Sequence, residues 1–504
     1  MGRTLWVLGD QLHPTGGVLA GARPGVDRIL FVLSLAKLRE RPWHRQRAHL
    51  FVAGMRRLAV DLERRGFEVD WREADSWRAG LEAHVRDHRP DAVEAMEPLN
   101  RRGRATLERL GVELRRNDQF LCHYDEFADW ADRHQRGDGS VLLEDFYRWQ
   151  RRRLGVLMDG DAPAGGRWNL DADNRQPPPR DGRDWPPVTT SALDELDREV
   201  MDHLESLPGV RLFGAPPDGT WATSRRRALH RLQRFVEEVL PGFGAHQDAM
   251  LQRSWAMRHS LLSHALNAGM LHPGEVVEAA EIAYREGRVP LNSAEGFVRQ
   301  VVGWREFVWG LYWWRDADWR AANVLGNDQP LPPAFTGAAS TDARCVATSV
   351  GWIERHAYAH HIPRLMVLAN LATLAGVRPQ ELTAWMHASF VDGADWVMVP
   401  NVVGMGMYAD GGSMSTKPYV SGGKYIDRMS DFCGDCRYDP KQRVGERACP
   451  FTTLYWDFLD RHRDVLADNR RLARPYATLE RLADVEEVRR RAKEVRARLA
   501  AGTL

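Results

Sequence analysis

Short strand-like segments alternate with arginine-rich amphipathic stretches over the first 120 or so residues. The strand-like segments fall at positions 4–8, 29–33, 69–71, 92–95 and 112–114 and read as short buried strands. Runs of this length, separated by helical patterns such as that of residues 48–65, indicate strand–helix–strand units. The pattern therefore predicts an N-terminal α/β domain with a Rossmann-like, doubly wound parallel sheet.

A GDQL turn at positions 9–12 follows the first predicted strand. Doubly wound sheets bind their ligands at the carboxyl ends of the strands, so this turn is a candidate binding element. A purely structural turn explains the same four residues equally well.

The pattern changes in the second part of the chain. Residues 160–188 are too rich in proline, glycine and aspartate for helix or sheet, which is typical of a connection between domains. Beyond Ser191, apolar residues recur at helical spacing in 228–240, 274–284, 297–314 and 362–374. We therefore expect an α/β domain over 1–135, an inter-domain linker over 136–190 and a larger all-α domain over 191–504.

Length and charge narrow the classes of function. A chain of 504 residues predicts two domains, with three as the alternative. Its 70 basic and 69 acidic side chains give a net charge of +1, so nucleic acid would have to be bound by a local basic patch. The chain contains no run of about eighteen or more apolar residues. We expect a monomeric cytoplasmic protein with no membrane partner.

Four of the five cysteines form a candidate metal site. Cys433 and Cys436 are three positions apart, Cys449 follows after twelve intervening residues, and Cys345 lies 88 positions upstream of Cys433. Four thiolates hold either an iron–sulphur cluster or a structural zinc ion, and ligand chemistry leaves both open. A redox CxxC site is less consistent, because no βαβ pattern surrounds the motif. The fifth thiol, Cys122, is expected to be buried in the first domain.

The helical half also contains polar groups suited to an anionic ligand. Ser260, Ser263 and Asn267 lie near a predicted helix start, where hydroxyl and amide groups can bind phosphate. Arg305 could clamp a pyrophosphate or pair with a nearby carboxylate. Taken singly, these are ordinary capping and core residues.

Several motifs in this half resemble one family when taken together. The strings RQVVGWREF (299–307), HHIPRLM (360–366), WVMVPNV (396–402), ADGG (409–412), KPY (417–419) and DFCGDCRYDP (431–440) occur in that order. This combination is similar to the photolyase/cryptochrome family, and within it to the bacterial iron–sulphur photolyases that repair (6-4) lesions. The resemblance extends over nearly the whole chain, from GDQL to the last cysteine.

The resemblance implies FAD in the helical domain, a 4Fe-4S cluster on the four cysteines, and a 6,7-dimethyl-8-ribityllumazine antenna in the α/β domain. It places the flavin among Ser260, Ser263, Asn267, Gln300, Arg305, Arg364, Asp392, Met398 and Asn401. Arg364 would neutralise the reduced flavin, with Asp392 as its ion-pair partner, and Trp385 would belong to the photoreduction chain. The implied reaction is light-driven repair of UV-damaged DNA by electron transfer from reduced FAD.

The resemblance also implies residues that act on the lesion. Repair of a (6-4) photoproduct requires a proton donor near neutral pH, for which His361, and secondarily His360, are the candidates. Tyr419 and Tyr425 would line the lesion pocket, where flat rings pack on a flipped base. Lys417, with Lys424 and Arg428 nearby, would contact DNA phosphates.

Three positions depart from the family pattern. The branch has a glutamate and then HHKQK after the second strand, whereas this chain has LSLAK (33–37) and WHRQR (43–47), so the carboxylate expected to hold a lumazine is missing. Phe335 replaces a tryptophan before Thr-Gly, which predicts slower or rerouted photoreduction. Met398 occupies the position next to the flavin N5, where a thioether donates no hydrogen bond.

These departures keep a second function open. A cryptochrome-like blue-light photoreceptor would share the fold and the flavin but would need little or no repair activity. A flavoenzyme acting on a small molecule is a third, weaker hypothesis. We expect the first function, an FAD-dependent DNA (6-4) photolyase, because His361, Tyr419 and Tyr425 are all present.

Overall fold

The computed structural model describes residues 2–179 and 181–504. Its strands are β1 (Thr4–Trp6), β2 (Arg28–Ser34), β3 (Trp43–His44), β4 (Glu68–Ala74), β5 (Val93–Met96), β6 (Glu113–Arg115), β7 (Met158–Asp159), β8 (Ala162–Pro163) and β9 (Leu212–Phe213). Its helices in the first half are α1 (Leu35–Arg39), α2 (Arg45–Arg64), α3 (Trp77–His88), α4 (Arg101–Arg109), α5 (Tyr124–His134), α6 (Leu143–Leu154), α7 (Glu195–Ser206) and α8 (Arg225–Arg234). The second half contains α9 (Ser263–Asn267), α10 (Pro273–Arg285), α11 (Leu291–Val298), α12 (Glu306–Trp314), α13 (Arg344–His356), α14 (Asn370–Ala375), α15 (Pro379–Ser389), α16 (Asp395–Met398), α17 (Gly423–Met429), α18 (Pro450–Arg461), α19 (Arg463–Leu466), α20 (Ala473–Leu479) and α21 (Val485–Ala501).

The N-terminal part is built on a parallel sheet. Its strands lie in the order β4-β2-β1-β5-β6, with Thr4 paired to Arg28 on one side and to Val93 on the other. The chain thus starts in the middle of the sheet, winds outwards to one edge and then to the other. This order confirms the predicted doubly wound fold, and the turn after β1 lies at the point where the winding direction reverses.

The helical part follows this sheet, as predicted, but the two parts share a hydrophobic core. One cluster of buried side chains contains Leu5 and Phe31 of the sheet together with Phe297 and Val302 of the helical part. A second cluster surrounds Val367 and extends to the C-terminal helices. Apolar burial is the main favourable term in folding, so the sheet and the helices stabilise each other directly.

The stretch over 136–190 contains regular structure that the sequence pattern did not indicate. Helix α6 lies within it, and its Arg151 is fully buried and donates to the carbonyl oxygens of Val156 and Leu157. The strands β7 and β8 pair antiparallel across a tight turn, in which Gly160 has a φ of +64°. Positive φ costs glycine little, which permits this turn in a segment rich in glycine and aspartate.

The helical part contains four π-helical segments within the described residues: Phe235–Val239, Arg299–Arg305, Pro363–Ala369 and Val399–Gly406. The last three contain residues that the resemblance assigns to the flavin: Gln300 and Arg305, Arg364, and Asn401. π-helical turns are rare and concentrate at functional sites. In the part of the chain described, no helix combines the length and the apolar character that crossing a membrane requires.

Candidate active site

Arg364 and Asp392 form a bidentate ion pair. The Arg364 guanidinium donates from Nη1 to Oδ1 of Asp392 at 3.0 Å and from Nη2 to Oδ2 at 3.1 Å. Its Nε donates to the carbonyl oxygen of Ala359 at 2.6 Å, which fixes the plane of the guanidinium. The ion pair expected from the sequence is therefore present, in the geometry in which arginine binds carboxylates most strongly.

Two further predicted residues donate hydrogen bonds to Asp392. The Ser263 hydroxyl donates to Oδ2 of Asp392 at 2.7 Å, and the Asn267 amide donates to its backbone oxygen at 2.9 Å. Burial by itself raises the pKa of Asp392, but Arg364 and Ser263 outweigh burial and hold it below the ordinary range. Asp392 therefore stays ionised at neutral pH and keeps Arg364 in place.

His360 and His361 have opposite environments, although they are adjacent in sequence. His360 is 1% exposed, and burial holds its pKa well below the ordinary value, so it is neutral. Its ring stacks on His259 with centroids 4.3 Å apart. The side chain of His361 is half exposed, and its Nε2 lies 3.1 Å from Oδ1 of Asp248. Only His361 can meet a ligand that enters from solvent.

Asp248 and His259 were not identified from the sequence. Both lie in an irregular stretch between α8 and α9, where no periodic pattern marks a site. Burial raises the pKa of Asp248, but the hydrogen bond and charge of His361 outweigh it and hold this pKa below its usual range. The carboxylate is therefore ionised and fixes the orientation of the His361 ring.

The two predicted pocket tyrosines are half buried, and Tyr425 lies near Asp248. Burial raises the pKa of Tyr425 to about 12, and the charge of Asp248 contributes to this shift. Tyr425 is thus a neutral phenol close to the His361 carboxylate partner. Lys417 is exposed, as are Lys424 and Arg428 on the adjoining surface.

Other predicted flavin residues have partners within the protein. The Gln300 amide donates to the Gly296 carbonyl oxygen at 3.3 Å, and the Asn401 amide donates to that of Val397 at 2.8 Å. The Ser260 hydroxyl accepts a hydrogen bond from the backbone N–H of Leu262. Met398 is 2% exposed and packs in the core, so it presents no polar atom.

Arg305 adopts the second of the two arrangements expected for it, pairing with a carboxylate. Its Nη1 lies 3.1 Å from Oε1 of Glu306, and its guanidinium covers the Phe120 ring at 3.9 Å. Burial raises the pKa of Glu306 to about 7, although the Arg305 charge opposes that shift. Arg305 thus donates its hydrogen bonds to one carboxylate and two backbone carbonyl oxygens, all within the protein.

All four candidate metal ligands line one cavity. Cys345 reaches it from α13, Cys433 and Cys436 from the loop after α17, and Cys449 from the start of α18. A Cβ added at Gly423 would come within 2.8 Å of the Cys449 sulphur, so glycine keeps this side open. The structure thus assembles thiols from three elements, as the predicted metal site requires.

The thiol pKa values show how closely these groups interact. Burial and the neighbouring thiolate of Cys449 raise the pKa of Cys433 to about 12, and burial raises that of Cys449 to about 11. Without a metal these thiols are protonated, so a cation that binds them must displace protons. Cys122 lies apart from the site and is fully buried, as expected.

The edge of the sheet has a charge pattern unlike that expected for a lumazine site. Lys37, in the segment where a carboxylate was expected, places its Nζ 3.4 Å from the Trp77 ring centroid. Arg47 points away from the edge and donates to carbonyl oxygens of Phe390 and Val391. Lys37 and Arg47 thus have partners within the protein, and the carboxylates that act on Lys37 are Asp10 and Glu40.

Three comparisons place this geometry among known proteins. Residues 5–221 match the family model described as "Deoxyribodipyrimidine photo-lyase-related protein". A protein of Agrobacterium fabrum named "(6-4) photolyase" is 40% identical over 99% of both chains.

Solved structures add similarity of fold. A bacterial class III photolyase from Agrobacterium tumefaciens aligns with a TM-score of 0.56 at 15% identity, over 99% of this chain and 98% of that one. A cryptochrome from Synechocystis sp. PCC6803 aligns with a TM-score of 0.53 at 13% identity, over 80% and 82% of the two chains. With the full-length relative at 40% identity, the motif order and the doubly wound sheet followed by helices, this chain belongs to the photolyase/cryptochrome family, in its bacterial (6-4) photolyase branch.

Proposed function

We propose that this protein is an FAD-dependent DNA (6-4) photolyase that repairs UV-damaged DNA under light. Membership in the family implies FAD, and the full-length relative carries the name of that activity. The observation that carries the proposal is the placement of His361 and Arg364 within one turn of each other. Each is held by its own carboxylate, Asp248 and Asp392 respectively.

The first part of the proposal concerns the flavin. When bound and reduced, FAD supplies the electron that light drives into the lesion. Arg364 provides the positive charge that an anionic ring system needs in a buried site. Asp392 fixes the Arg364 guanidinium by two hydrogen bonds. Ser263 and Asn267 each donate a hydrogen bond to Asp392 and hold it in turn. The side chains around Arg364 thus hydrogen-bond to one another within the protein itself.

The second part concerns the proton. We assign the donor role to His361, because it is the more exposed of the two histidines and its ring is oriented by Asp248. The neutral, buried His360 supports this ring from the side, together with His259. A positioned acid near the reacting group contributes about 10²–10⁴-fold to such steps.

The third part concerns DNA. Tyr419 and Tyr425 offer flat ring faces for the flipped bases of the lesion, and such stacking contributes about 1–3 kcal/mol per base. Lys417, Lys424 and Arg428 are exposed beside them and are suited to contact phosphates. This local basic patch supports the proposed DNA binding in a chain whose net charge is only +1.

The fourth part concerns the metal centre, for which we favour a 4Fe-4S cluster over zinc. A tetrahedral zinc ion with Zn–S bonds of about 2.3 Å holds its sulphurs roughly 3.8 Å apart. Among the described residues, two groups of three donor atoms lie within 4.8 Å of one another, and both consist of histidines, with Asp70 in one of them. Within the same residues, no three cysteine sulphurs lie that close together. The wider spacing of the thiols supports the larger cluster. We assign it a structural role, or one at the DNA interface, first and a redox role second.

One assay tests the function. The reduced protein is illuminated with an oligonucleotide that contains a single (6-4) photoproduct, and the restored dithymine is quantified by chromatography. Repair in light and none in darkness is expected, and an oligonucleotide with a cyclobutane dimer serves as the lesion control. Absence of repair in a protein whose flavin still photoreduces would refute the enzyme and favour the photoreceptor.

A further inference from the structure

The first turn of α2 contacts the segment that precedes Asp392. Arg47 is 8% exposed, and its Nη1 donates to the carbonyl oxygens of Phe390 at 3.2 Å and Val391 at 3.3 Å. Phe390 and Val391 are completely buried. A side chain from the α/β part of the chain therefore fixes the backbone immediately before the carboxylate that holds Arg364.

The same turn binds the neighbouring segment of the candidate site. Nε2 of Gln46 donates to the carbonyl oxygen of Arg355 at 2.7 Å. The backbone N–H of Val391 donates to the carbonyl oxygen of Ala357 at 2.8 Å, which joins the two segments. The start of α2 is thus connected to the backbone on both sides of the histidines and Arg364.

Arg47 also brings a positive charge. Its guanidinium lies 5.2 Å from the Trp43 ring centroid and 5.0 Å from that of Phe51. Burial lowers the pKa of Arg47 to about 10, and attraction by Asp392 opposes this shift. A pKa near 10 leaves the group fully charged at neutral pH.

The charges that act on Asp392 include two cations. Arg364 and Asp392 form a neutral pair, and Arg47 is a second cation that acts on the same carboxylate. Asp10 is a second carboxylate that attracts Arg47, and Lys37 acts on Asp10 as well. Two arginines thus act on the single carboxylate of Asp392: Arg364 pairs with it, and Arg47 donates to the carbonyl oxygen of the residue before it.

We propose that Arg47 is a positioning residue of the flavin site: it fixes the backbone of Phe390 and Val391, and it adds a positive charge near the Arg364–Asp392 pair. This inference rests on the proposed binding of FAD beside Arg364. Reduced flavin carries a negative charge that oxidised flavin lacks, so a nearby cation stabilises the reduced form. The α/β part of the chain would then tune the flavin through the Arg47 side chain.

Two substitutions separate the charge from the contact. Arg47→Gln keeps an amide that can donate to a carbonyl and removes the charge, whereas Arg47→Lys keeps the charge. In the holoprotein, Arg47→Gln is expected to weaken the binding of reduced relative to oxidised FAD about tenfold, which for a two-electron couple lowers the midpoint potential by about 30 mV. Arg47→Lys is expected to stay at the wild-type potential. Spectroelectrochemical titration measures both.

The matched control is Arg45→Gln. Arg45 lies in the same turn, but it pairs with Glu205 at the surface, so its loss is expected to leave the potential unchanged. An unchanged potential in Arg47→Gln would overturn the inference, whatever happens to thermal stability. If Arg47→Gln loses FAD during purification, the affinities of the variant for oxidised and for reduced FAD can be measured separately by titration. Equal weakening of both affinities would also overturn the inference. A wild-type protein that binds no FAD would instead refute the proposed function.

Discussion

Phe335 packs edge-on against Trp385, with ring centroids 5.4 Å apart and planes inclined at 76°. The other ring that contacts Trp385 is Phe390, at 6.1 Å. Within the described residues, Trp385 thus has no tryptophan or tyrosine among its ring partners. A hole created on Trp385 therefore has no easily oxidised ring in contact to which it can move.

We predict that Phe335→Trp accelerates flavin photoreduction. An indole is far easier to oxidise than a phenyl ring, so the hole can leave Trp385 before it recombines. Blue-light bleaching of the oxidised flavin band, with an external thiol as the final electron donor, measures the rate. Phe335 is 1% exposed and a larger ring strains the core, so Phe335→Tyr is the second variant and Phe335→Leu the inert control. A wild-type rate in both aromatic variants would show that Trp385 is not on the route.

We predict that Asp392→Asn destabilises the protein and releases FAD. Breaking a buried ion pair by removing one partner costs about 3–5 kcal/mol, because the Arg364 charge is left uncompensated. Thermal denaturation and the FAD content of the purified variant measure the two effects. Asp395→Asn is the control, since Asp395 pairs with Arg320, an exposed partner, and a small loss is expected. Equal losses in both variants would contradict a special role for Asp392.

The same pair predicts a pH dependence. The pKa of Asp392 is depressed in the folded protein, so its stabilising contribution is complete above the ordinary carboxyl pKa of 3.8 and is lost as the pH falls through the lower, folded value. The difference in Tm between wild type and Asp392→Asn is expected to be constant from neutral pH to about pH 5 and to shrink below pH 4. A difference in Tm that already shrinks between pH 7 and pH 6 would show that a group other than Asp392 causes the pH dependence.

We predict that His361→Asn lowers the repair rate by about 10²–10⁴-fold, because it removes the acid that serves the lesion. The flavin spectrum and photoreduction are expected to remain as in the wild type, since His361 is half exposed and outside the core. Asp248→Asn should give a smaller loss of repair, because the ring is still present but no longer oriented by a charge. Full repair by His361→Asn would show that another group donates the proton.

We predict that Cys436→Ala loses both iron and stability, because a structural metal contributes directly to folding. Iron and acid-labile sulphide per chain, together with the Tm, measure this after anaerobic purification. Cys122→Ala is the matched control: Cys122 is buried and does not line the cavity, so its loss should leave the iron content unchanged. One equivalent of zinc in place of iron in the wild type would refute the cluster.

The local pattern of the sequence determined the elements on which the site is built. Each of the five strand-like segments forms a strand of the parallel sheet, and the central strands β1 and β2 are almost fully buried, as parallel sheets covered on both faces require. The helical spacing beyond Ser191 likewise predicted the second half of the fold. The Arg364–Asp392 pair was expected from motifs that occur in family order, and the structure contains it.

Tertiary structure alone decided which distant groups meet. Asp248 and His361 are 113 positions apart, and Arg47 and Phe390 are 343 positions apart. No periodicity relates such positions, because their contact depends on how distant elements pack: α2 against the helical part for Arg47, and the stretch between α8 and α9 against the histidine segment for Asp248. The π-helical turns that contain Arg364 and Asn401 are also a result of packing, since local preferences rarely favour π-helical hydrogen bonding. The sequence thus determined the strands, helices and chemical groups, whereas the shared core determined their partners and charge states.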